Sequence, residues 1–249
     1  MGKKGGARHL KRMHAPSYWP IHAKESQWTK KPKPGPHALE ECLPLSIIIR
    51  DLLGYASIFR DAKLAIAERK VKVDGKTRID VKYPTGIMDV IEIPEAKLSM
   101  RVLPIPRKGL STVNIPEEET SSKLCRIEDK HAAPRGNLQL NLHDGRNILV
   151  KVADAKRPEE DLYKVLDTVQ ISLPDQKILK HLRFNEGSYV IVTSGRNLGR
   201  TGRIKRIEEA SAARPPMVTI EDSESKVFQT MADYVFVVGE DKPLIEVGA

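Results

Sequence analysis

The clearest pattern of hydrophobic and polar positions lies between residues 43 and 96. Apolar residues recur at helical spacing from Pro44, which suits the first turn of a helix, to Gly54, which suits its C-terminal end. Ser57 is placed to cap a second helix over residues 58–70, in which positions 58, 62, 65 and 66 form one apolar face. The pattern predicts two short consecutive helices.

A β-hairpin is predicted directly after the second helix. Residues alternate in the segment VKVDGKTR, and Asp74 followed by Gly75 is a strong signal for a two-residue hairpin turn. The segment IMDVIEI, residues 87–93, predicts a closing strand. We therefore expect residues 43–96 to fold as a compact module of two helices and a small hairpin.

The rest of the chain is predicted to be mostly β, which makes the fold class multidomain α+β. Short strand-like segments separated by turn signals favour a small barrel or sandwich over residues 97–178. These segments are KLSMRVLPI, KLCRIEDKH, NLQLNLHDG, NILVKV and DTVQISL. Residues 179–249 predict a second, C-terminal barrel, in which strands 189–192 and 201–207 pair across a glycine-bearing loop.

Residues 1–42 form a basic N-terminal arm without a helical or strand period. Prolines at five positions between residues 16 and 36 disfavour helices and keep the chain extended. The whole chain has a formal net charge of +9, and residues 1–37 hold nine Lys or Arg against one acid, Glu25. Such an arm points to an extended polyanion, either nucleic acid or an acidic membrane surface.

The arm also carries both tryptophans of the chain. Aromatic residues interleaved with cations suit stacking on bases and neutralisation of phosphate, so we expect the arm to order on RNA. A disordered solubilising tail is the alternative. The candidate RNA-binding residues of the arm are Lys3, Lys4, Arg8, His9, Lys11, Arg12, Tyr18, Trp19, Lys24, Trp28, Lys30, Lys31 and Lys33.

Two further basic clusters are candidate RNA contacts. One lies along an edge of the module, where nearby acids leave a merely solvated face as the alternative; its members are Arg60, Lys63, Arg69, Lys70, Lys72, Lys76 and Arg78. The other lies in residues 194–207, SGRNLGRTGRIKRI, where a structural barrel turn is the compatible alternative. Its members are Arg196, Asn197, Arg200, Arg203, Lys205 and Arg206. This loop lacks the G-x-x-x-x-G-K-[ST] pattern and a following helix, which disfavours a nucleotide-binding P-loop.

Other chemistry is disfavoured by the sequence. Cys42 and Cys125 lack metal-binding spacing and predict buried thiols in a reducing compartment. Apolar runs fall short of the roughly 20 residues that a membrane helix needs. The acids at 117–119 predict a solvated loop, and the histidines show no partner at a readable spacing. We therefore predict no catalytic residue, metal, cofactor, small-molecule substrate or membrane partner, and no homo-oligomer.

The segment SIFRDAKLAIAERKVKVDGKTR resembles the small RNA-binding module named after bacterial ribosomal protein S-four. The segment EGSYVIVTSGRNLGRTGRIKRI resembles a KOW motif, the strand–loop–strand element of small SH3-like barrels. Together with the arm and the central segment NLQLNLHDGRNILV, these parts occur in an order that is similar over essentially the whole chain to the small-subunit ribosomal proteins S-four of the archaeal and eukaryotic type. The chain ends soon after the barrel, which looks more like the archaeal members of that family than the eukaryotic ones.

This resemblance implies a structural constituent of the small ribosomal subunit in the cytoplasm. It implies binding to small-subunit, 16S-type rRNA and to neighbouring ribosomal proteins, support of rRNA folding and assembly, and no catalysis. Two alternatives stay open at this point. One is an accessory part of an RNA-modification enzyme, and the other is a KOW-type transcription or translation factor that binds RNA transiently.

Overall fold

The computed structural model describes residues 9–22, 24–152, 162–211 and 214–246. Within these ranges the chain is mostly β, with nineteen strands in antiparallel sheets and two short α-helices. This confirms the predicted mostly-β class. No helix in the described ranges is long and apolar enough to cross a membrane.

The arm folds against the protein instead of running without regular structure. Strands β1 (Leu10–Lys11) and β2 (Trp28–Thr29) pair antiparallel, with Lys11 opposite Trp28. Leu10 and Trp19 are buried, at 7% and 3% exposure, in the same core as the module. The sequence showed no strand period in the arm, yet this part forms paired strands and packs on the core, because its apolar side chains gain from leaving water.

The two helices lie close to their predicted positions. Helix α1 (Leu45–Ile47) continues as a π-helical segment, Ile48–Leu52, and Gly54 follows with a φ of +61°. Helix α2 spans Phe59–Ala67 and buries Ala62, Ala65 and Ile66. The predicted Ser57 cap was wrong, because the extended N-cap residue is Ile58, whose side chain has no hydrogen-bonding group and stays 63% exposed.

The predicted hairpin belongs to a larger sheet. Strand β3 (Cys42–Pro44) pairs with β6 (Pro84–Gly86), and a five-stranded sheet has the order β5-β4-β7-β8-β9. Its strands are β4 (Lys72–Val73), β5 (Lys76–Thr77), β7 (Val90–Ile93), β8 (Leu98–Ile105) and β9 (Gly109–Asn114). Asp74 and Gly75 form the turn, both with positive φ, as two-residue hairpins require. This sheet joins strands from both sides of residue 97.

The central residues form a second five-stranded antiparallel sheet with its own core. Its order is β12-β11-β10-β13-β14. Its strands are β10 (Ser122–Ala132), β11 (Leu138–Leu142), β12 (Asn147–Val150), β13 (Thr168–Ser172) and β14 (Ile178–Leu182). The core consists of Cys125, Ile127, Leu140, Leu142, Val169 and Ile171. Cys42 and Cys125 are both free and buried, as predicted.

The C-terminal residues form a third five-stranded sheet, in the order β18-β17-β16-β15-β19. Its strands are β15 (Tyr189–Val192), β16 (Thr201–Glu208), β17 (Met217–Glu221), β18 (Val227–Met231) and β19 (Val235–Gly239). The predicted pairing across the loop is confirmed, with Val190 opposite Gly202. Apolar residues of this sheet share one continuous core with the arm and the module.

A buried ionic network lies between the module and the central sheet. The Lys123 ammonium contacts the carboxylates of Asp74, Asp89 and Asp144, at 3.0 Å for the first and last, and the Lys123 side chain has no exposed surface. Burial alone would lower the pKa of Lys123, but the three carboxylates raise it well above its usual value. Arg146 also pairs with Asp74 and Asp144. Charges from distant segments therefore hold the two parts in one arrangement.

Several polar side chains have partners that the sequence did not indicate. His37 of the arm contacts Asp89 at 3.1 Å, and His181 contacts Asp167 at 2.7 Å. Glu119 accepts a hydrogen bond of 2.7 Å from the buried Arg101 guanidinium, so the acidic loop at 117–119 is not simply solvated. These pairs are separated by 14 to 52 residues along the chain, which is why no local spacing revealed them.

Candidate nucleic-acid interface

The module presents part of its predicted basic edge to solvent. Arg60 and Lys63 are exposed on helix α2, Arg69 is exposed on the turn that follows, and Lys76 is exposed in strand β5. For these four side chains the structure gives no ion pair within its described ranges. They are therefore open to phosphate.

Other members of the same edge are held by protein groups. Lys70 pairs with Glu68 and Glu95 at 3.0 and 3.1 Å, and hydrogen bonds to these carboxylates raise its pKa. The Arg78 guanidinium stacks over the Tyr83 ring at 4.3 Å. Lys72 is half-buried in strand β4. These side chains contact protein groups or are partly buried, so they present less free positive charge to solvent than the four exposed ones.

The arm contributes an aromatic surface next to the module. The Trp28 side chain is 51% exposed, and the His9 ring meets it edge-on at 5.7 Å. The Lys11 ammonium lies 5.8 Å from the Trp28 ring, and Lys30 lies 3.9 Å from the Phe59 ring of helix α2. Cations beside an accessible aromatic face are the arrangement that binds single-stranded nucleic acid.

Two aromatic candidates of the arm need correction. Trp19 is buried at 3% exposure, so its ring cannot stack on RNA. Tyr18 is half-buried, its hydroxyl donates to the Leu39 carbonyl at 3.3 Å, and burial raises its pKa. Both residues instead anchor the arm, because their rings pack against the shared core.

The remaining arm candidates differ in their surroundings. The Arg12 guanidinium donates to the Ile21 carbonyl at 2.7 Å, and Lys33 pairs with Asp80. Lys24 is exposed and Lys31 is half-buried. Lys3, Lys4 and Arg8 lie outside the described residues.

The basic loop between β15 and β16 docks on the turn between β8 and β9. Gly199 has a φ of +79°, and a Cβ built there would lie 2.4 Å from the Pro106 nitrogen. A glycine is therefore required for this close approach. Arg196 is exposed at the loop, and the exposed Arg107 and Lys108 lie in the turn on which the loop docks.

Sequence reasoning missed Arg107 and Lys108. Strand β9 was not predicted, so residues 106–108 were not recognised as a hairpin turn. The available signal was the segment PRKG, in which a basic pair stands between proline and glycine.

The other loop candidates are partly committed to the protein. Arg200 donates to Asp222 at 3.2 Å and stacks over the Phe228 ring at 4.1 Å. The Arg203 guanidinium donates to the Asp241 carbonyl, and the Asn197 amide to the Gln229 carbonyl. Lys205 pairs with Glu221 at 3.4 Å, whereas Arg206 is exposed after a register shift in strand β16. Arg196 in the loop and Arg206 in strand β16 are therefore the exposed candidates for which the described residues show no side-chain partner.

One cluster has the composition of a metal site. Ligand atoms of Cys125, His143 and Asp144 lie within 4.8 Å of one another. Both His143 ring nitrogens are used, since one accepts from the Arg126 amide and the other contacts the Ile87 carbonyl. Asp144 pairs with Lys123, and burial raises the pKa of the Cys125 thiol well above its usual value. Because these atoms already have protein partners, the three side chains fit a role in the buried ionic network better than the coordination of a metal ion.

Comparison with known families matches three segments of the chain. Residues 4–40 match the RS4NT (NUC023) domain, residues 96–178 match the ribosomal family S4e, and residues 186–215 match the KOW motif. The third match confirms the predicted KOW element. The central match covers the segment that contains β8 to β13, together with Lys123, Asp144 and Arg146 of the buried ionic network.

Individual relatives match almost the whole chain. The small ribosomal subunit protein eS4 of Staphylothermus marinus is 49% identical, covering 99% of this chain and 98% of its own length. That of Ignicoccus hospitalis is also 49% identical, covering 97% and 95%. The crystal structure of 30S ribosomal protein S4e from Thermoplasma acidophilum has a TM-score of 0.67 and 32% identity, covering 80% of this chain and 96% of that one. This chain belongs to the S4e family of small-subunit ribosomal proteins, a family of structural proteins and not of enzymes.

Proposed function

We propose that this chain is a structural constituent of the small ribosomal subunit that binds 16S-type rRNA and supports its folding and assembly. It acts in translation, within the ribosomes of the cytoplasm, and contacts neighbouring small-subunit proteins. The four segments 1–42, 43–96, 97–178 and 179–249 work together as one rRNA-binding body. The match along nearly the full length to proteins named small ribosomal subunit protein eS4 carries this proposal.

The distribution of charge supports rRNA as the partner. Exposed cations lie on helix α2, on the β1–β2 pair, and where the basic loop meets the β8–β9 turn. Lys and Arg side chains release counterions from the RNA backbone and supply salt-dependent affinity. Exposed cations on several elements of one packed body favour recognition of a folded RNA by its shape.

The buried ionic network supports the structural role. A protein that supports RNA folding benefits from RNA-binding patches in fixed positions, because ordering a mobile protein group on binding costs conformational entropy. Lys123 and Arg126 supply such fixation here. Lys123 links the module to the central sheet, and Arg126 donates to the carbonyls of Asp233 and Val235 in the C-terminal part.

Sedimentation tests the proposal. Cell extract is run on a sucrose gradient after a high-salt wash, and the protein is counted per small subunit. About one copy per subunit that resists the wash is the expected result. Release to the top of the gradient, or a count far below one, would refute the structural role and favour a transient factor.

A further inference from the structure

A cleft lies between the arm and the two helices of the module. Its volume is about 260 Å³, and its lining includes Trp28 and Lys30 from the arm, Ser46 and Arg50 from the first helical segment, and Phe59 from helix α2. This is below the roughly 300–1,000 Å³ of pockets for drug-sized molecules. The cleft therefore suits a single small planar group.

One polar group of the cleft lacks a partner. Ser46 is only 2% exposed, and its hydroxyl has no hydrogen-bond partner among the described residues. A buried hydroxyl without a partner is costly, and a hydrogen-bonding group of a ligand would relieve that cost. Ser46 contributes to the lining of the cleft, where a hydroxyl can both donate and accept.

The remaining lining combines an aromatic face with positive charge. Trp28 is 51% exposed although it contacts His9 and Lys11. The Lys30 ammonium lies over the Phe59 ring. Arg50 uses Nε and Nη2 on Asp51, at 2.6 and 2.8 Å, and no described residue hydrogen-bonds to its Nη1. A planar apolar surface, a hydroxyl and two cations fit a base attached to a phosphate.

We propose that this cleft binds one unpaired nucleotide of an RNA strand. The base stacks on Trp28, its edge bonds the Ser46 hydroxyl, and the adjoining phosphates pair with Lys30 and Arg50. This inference rests on the proposed rRNA-binding function and deepens it, because it adds a site for an unstacked base to contacts with the RNA backbone. Unpaired bases stacked on aromatic side chains are a common basis of single-strand recognition.

The test uses the full chain with eight-nucleotide oligouridylate and oligoadenylate as single strands, and a G·C-rich RNA duplex of the same length for comparison. Binding is followed by fluorescence anisotropy of the labelled RNA and by quenching of the tryptophan fluorescence, with Trp28→Ala showing which part of the signal comes from Trp28. We expect single strands to quench the fluorescence and Trp28→Ala to weaken their binding at least about fivefold. Duplex binding should be unchanged in this variant. The free mononucleotides UMP and AMP are tested separately and should bind far more weakly, since they lack the neighbouring phosphates.

Ser46→Ala separates a binding role from a folding role. Because the hydroxyl has no protein partner, its removal should not lower the melting temperature, while single-strand binding should weaken about threefold or more. Thr168→Val is the matched control, since Thr168 also has a buried hydroxyl without a partner among the described residues but lies in strand β13. It should leave binding unchanged.

Two results would overturn the inference. One is that Ser46→Ala binds the single strands as tightly as the unmodified chain does. The other is that an abasic oligonucleotide of the same length binds as tightly as oligouridylate and oligoadenylate. Small-subunit rRNA is titrated in parallel. If rRNA binds but neither Trp28→Ala nor Ser46→Ala weakens the binding of single strands, only the cleft proposal fails. Absence of rRNA binding refutes the proposed function itself.

Discussion

Replacing Lys123 with methionine would test the buried ionic network. The ammonium contacts three carboxylates and has no exposed surface, while methionine keeps an unbranched stem and removes the charge. Each carboxylate retains another partner, since Arg146 pairs with Asp74 and Asp144, and His37 contacts Asp89. The variant therefore leaves the three acids buried and incompletely neutralised.

The expected loss of unfolding free energy follows from these contacts. Removing one partner of a buried ion pair costs about 3–5 kcal/mol. Because Arg146 and His37 remain, we expect the lower end, about 3 kcal/mol at pH 7. Lys205→Met is the matched control, since Lys205 is 57% exposed and pairs with Glu221 across 3.4 Å. An exposed pair of this kind contributes below about 1 kcal/mol.

The pH dependence gives the effect a characteristic sign. Burial alone would raise the pKa of Asp144, but Lys123, His143 and Arg146 lower it to about 2. A lowered carboxylate pKa stabilises the fold above the unfolded value of about 3.9 and loses that contribution as pH falls toward 2. Without Lys123 this pKa is higher, so the difference between variant and unmodified chain should shrink from pH 4 to pH 2.

Urea unfolding followed by tryptophan fluorescence and circular dichroism measures both quantities. The curves are recorded at pH 7, 4 and 3, with the Lys205→Met control in parallel. A loss at pH 7 no larger than that of the control would refute the assigned role of Lys123. A difference that stays constant between pH 7 and pH 3 would contradict the proposed coupling to the buried carboxylates.

Three further changes test other parts of the structure. Gly199→Ala should lower the melting temperature more than Gly187→Ala, because both sites have positive φ but only Gly199 abuts Pro106; equal effects would contradict the docked loop. Burial lowers the pKa of His143 to about 3. Between about pH 6.5 and pH 3 only the unfolded chain takes up this proton, so the free energy of unfolding should fall as the pH drops through that range. Urea unfolding of His143→Gln should lack this dependence of stability on pH. Removing Arg196 should reduce the salt dependence of rRNA binding, measured as the slope of log affinity on log salt, by about 0.7, and an unchanged slope would exclude a phosphate contact there.

Much of the secondary structure could be predicted because its signals are local. Gly54 ends the first helical segment, and Asp74 with Gly75 turns the hairpin, since these residues tolerate positive φ at small cost. The strands on either side of the KOW loop pair as predicted, because a run of β-branched residues precedes a glycine-bearing loop and a second strand follows it. The family itself followed from the order of such segments.

The candidate site could be predicted only in part. Exposed cations such as Arg60, Lys63 and Arg196 follow from charge clusters. Trp19 was expected on RNA and is buried, because nothing local distinguishes an aromatic side chain that binds a ligand from one that anchors an arm. Lys108 was missed because it acquires its neighbours only when the basic loop docks on its turn.

The sequence by itself determined the mostly-β class, the two short helices and the Asp74–Gly75 turn, the KOW element and the excess of positive charge. These depend on periodicity, turn residues and composition, which act over a few neighbouring positions. The tertiary structure decided which charges are free. Lys123 and Asp74 are 49 residues apart, and Arg126 bonds a carbonyl 107 residues away. Burial and Coulomb attraction depend on distance in space, so only the folded chain separates the cations that pair inside the protein from those exposed to solvent.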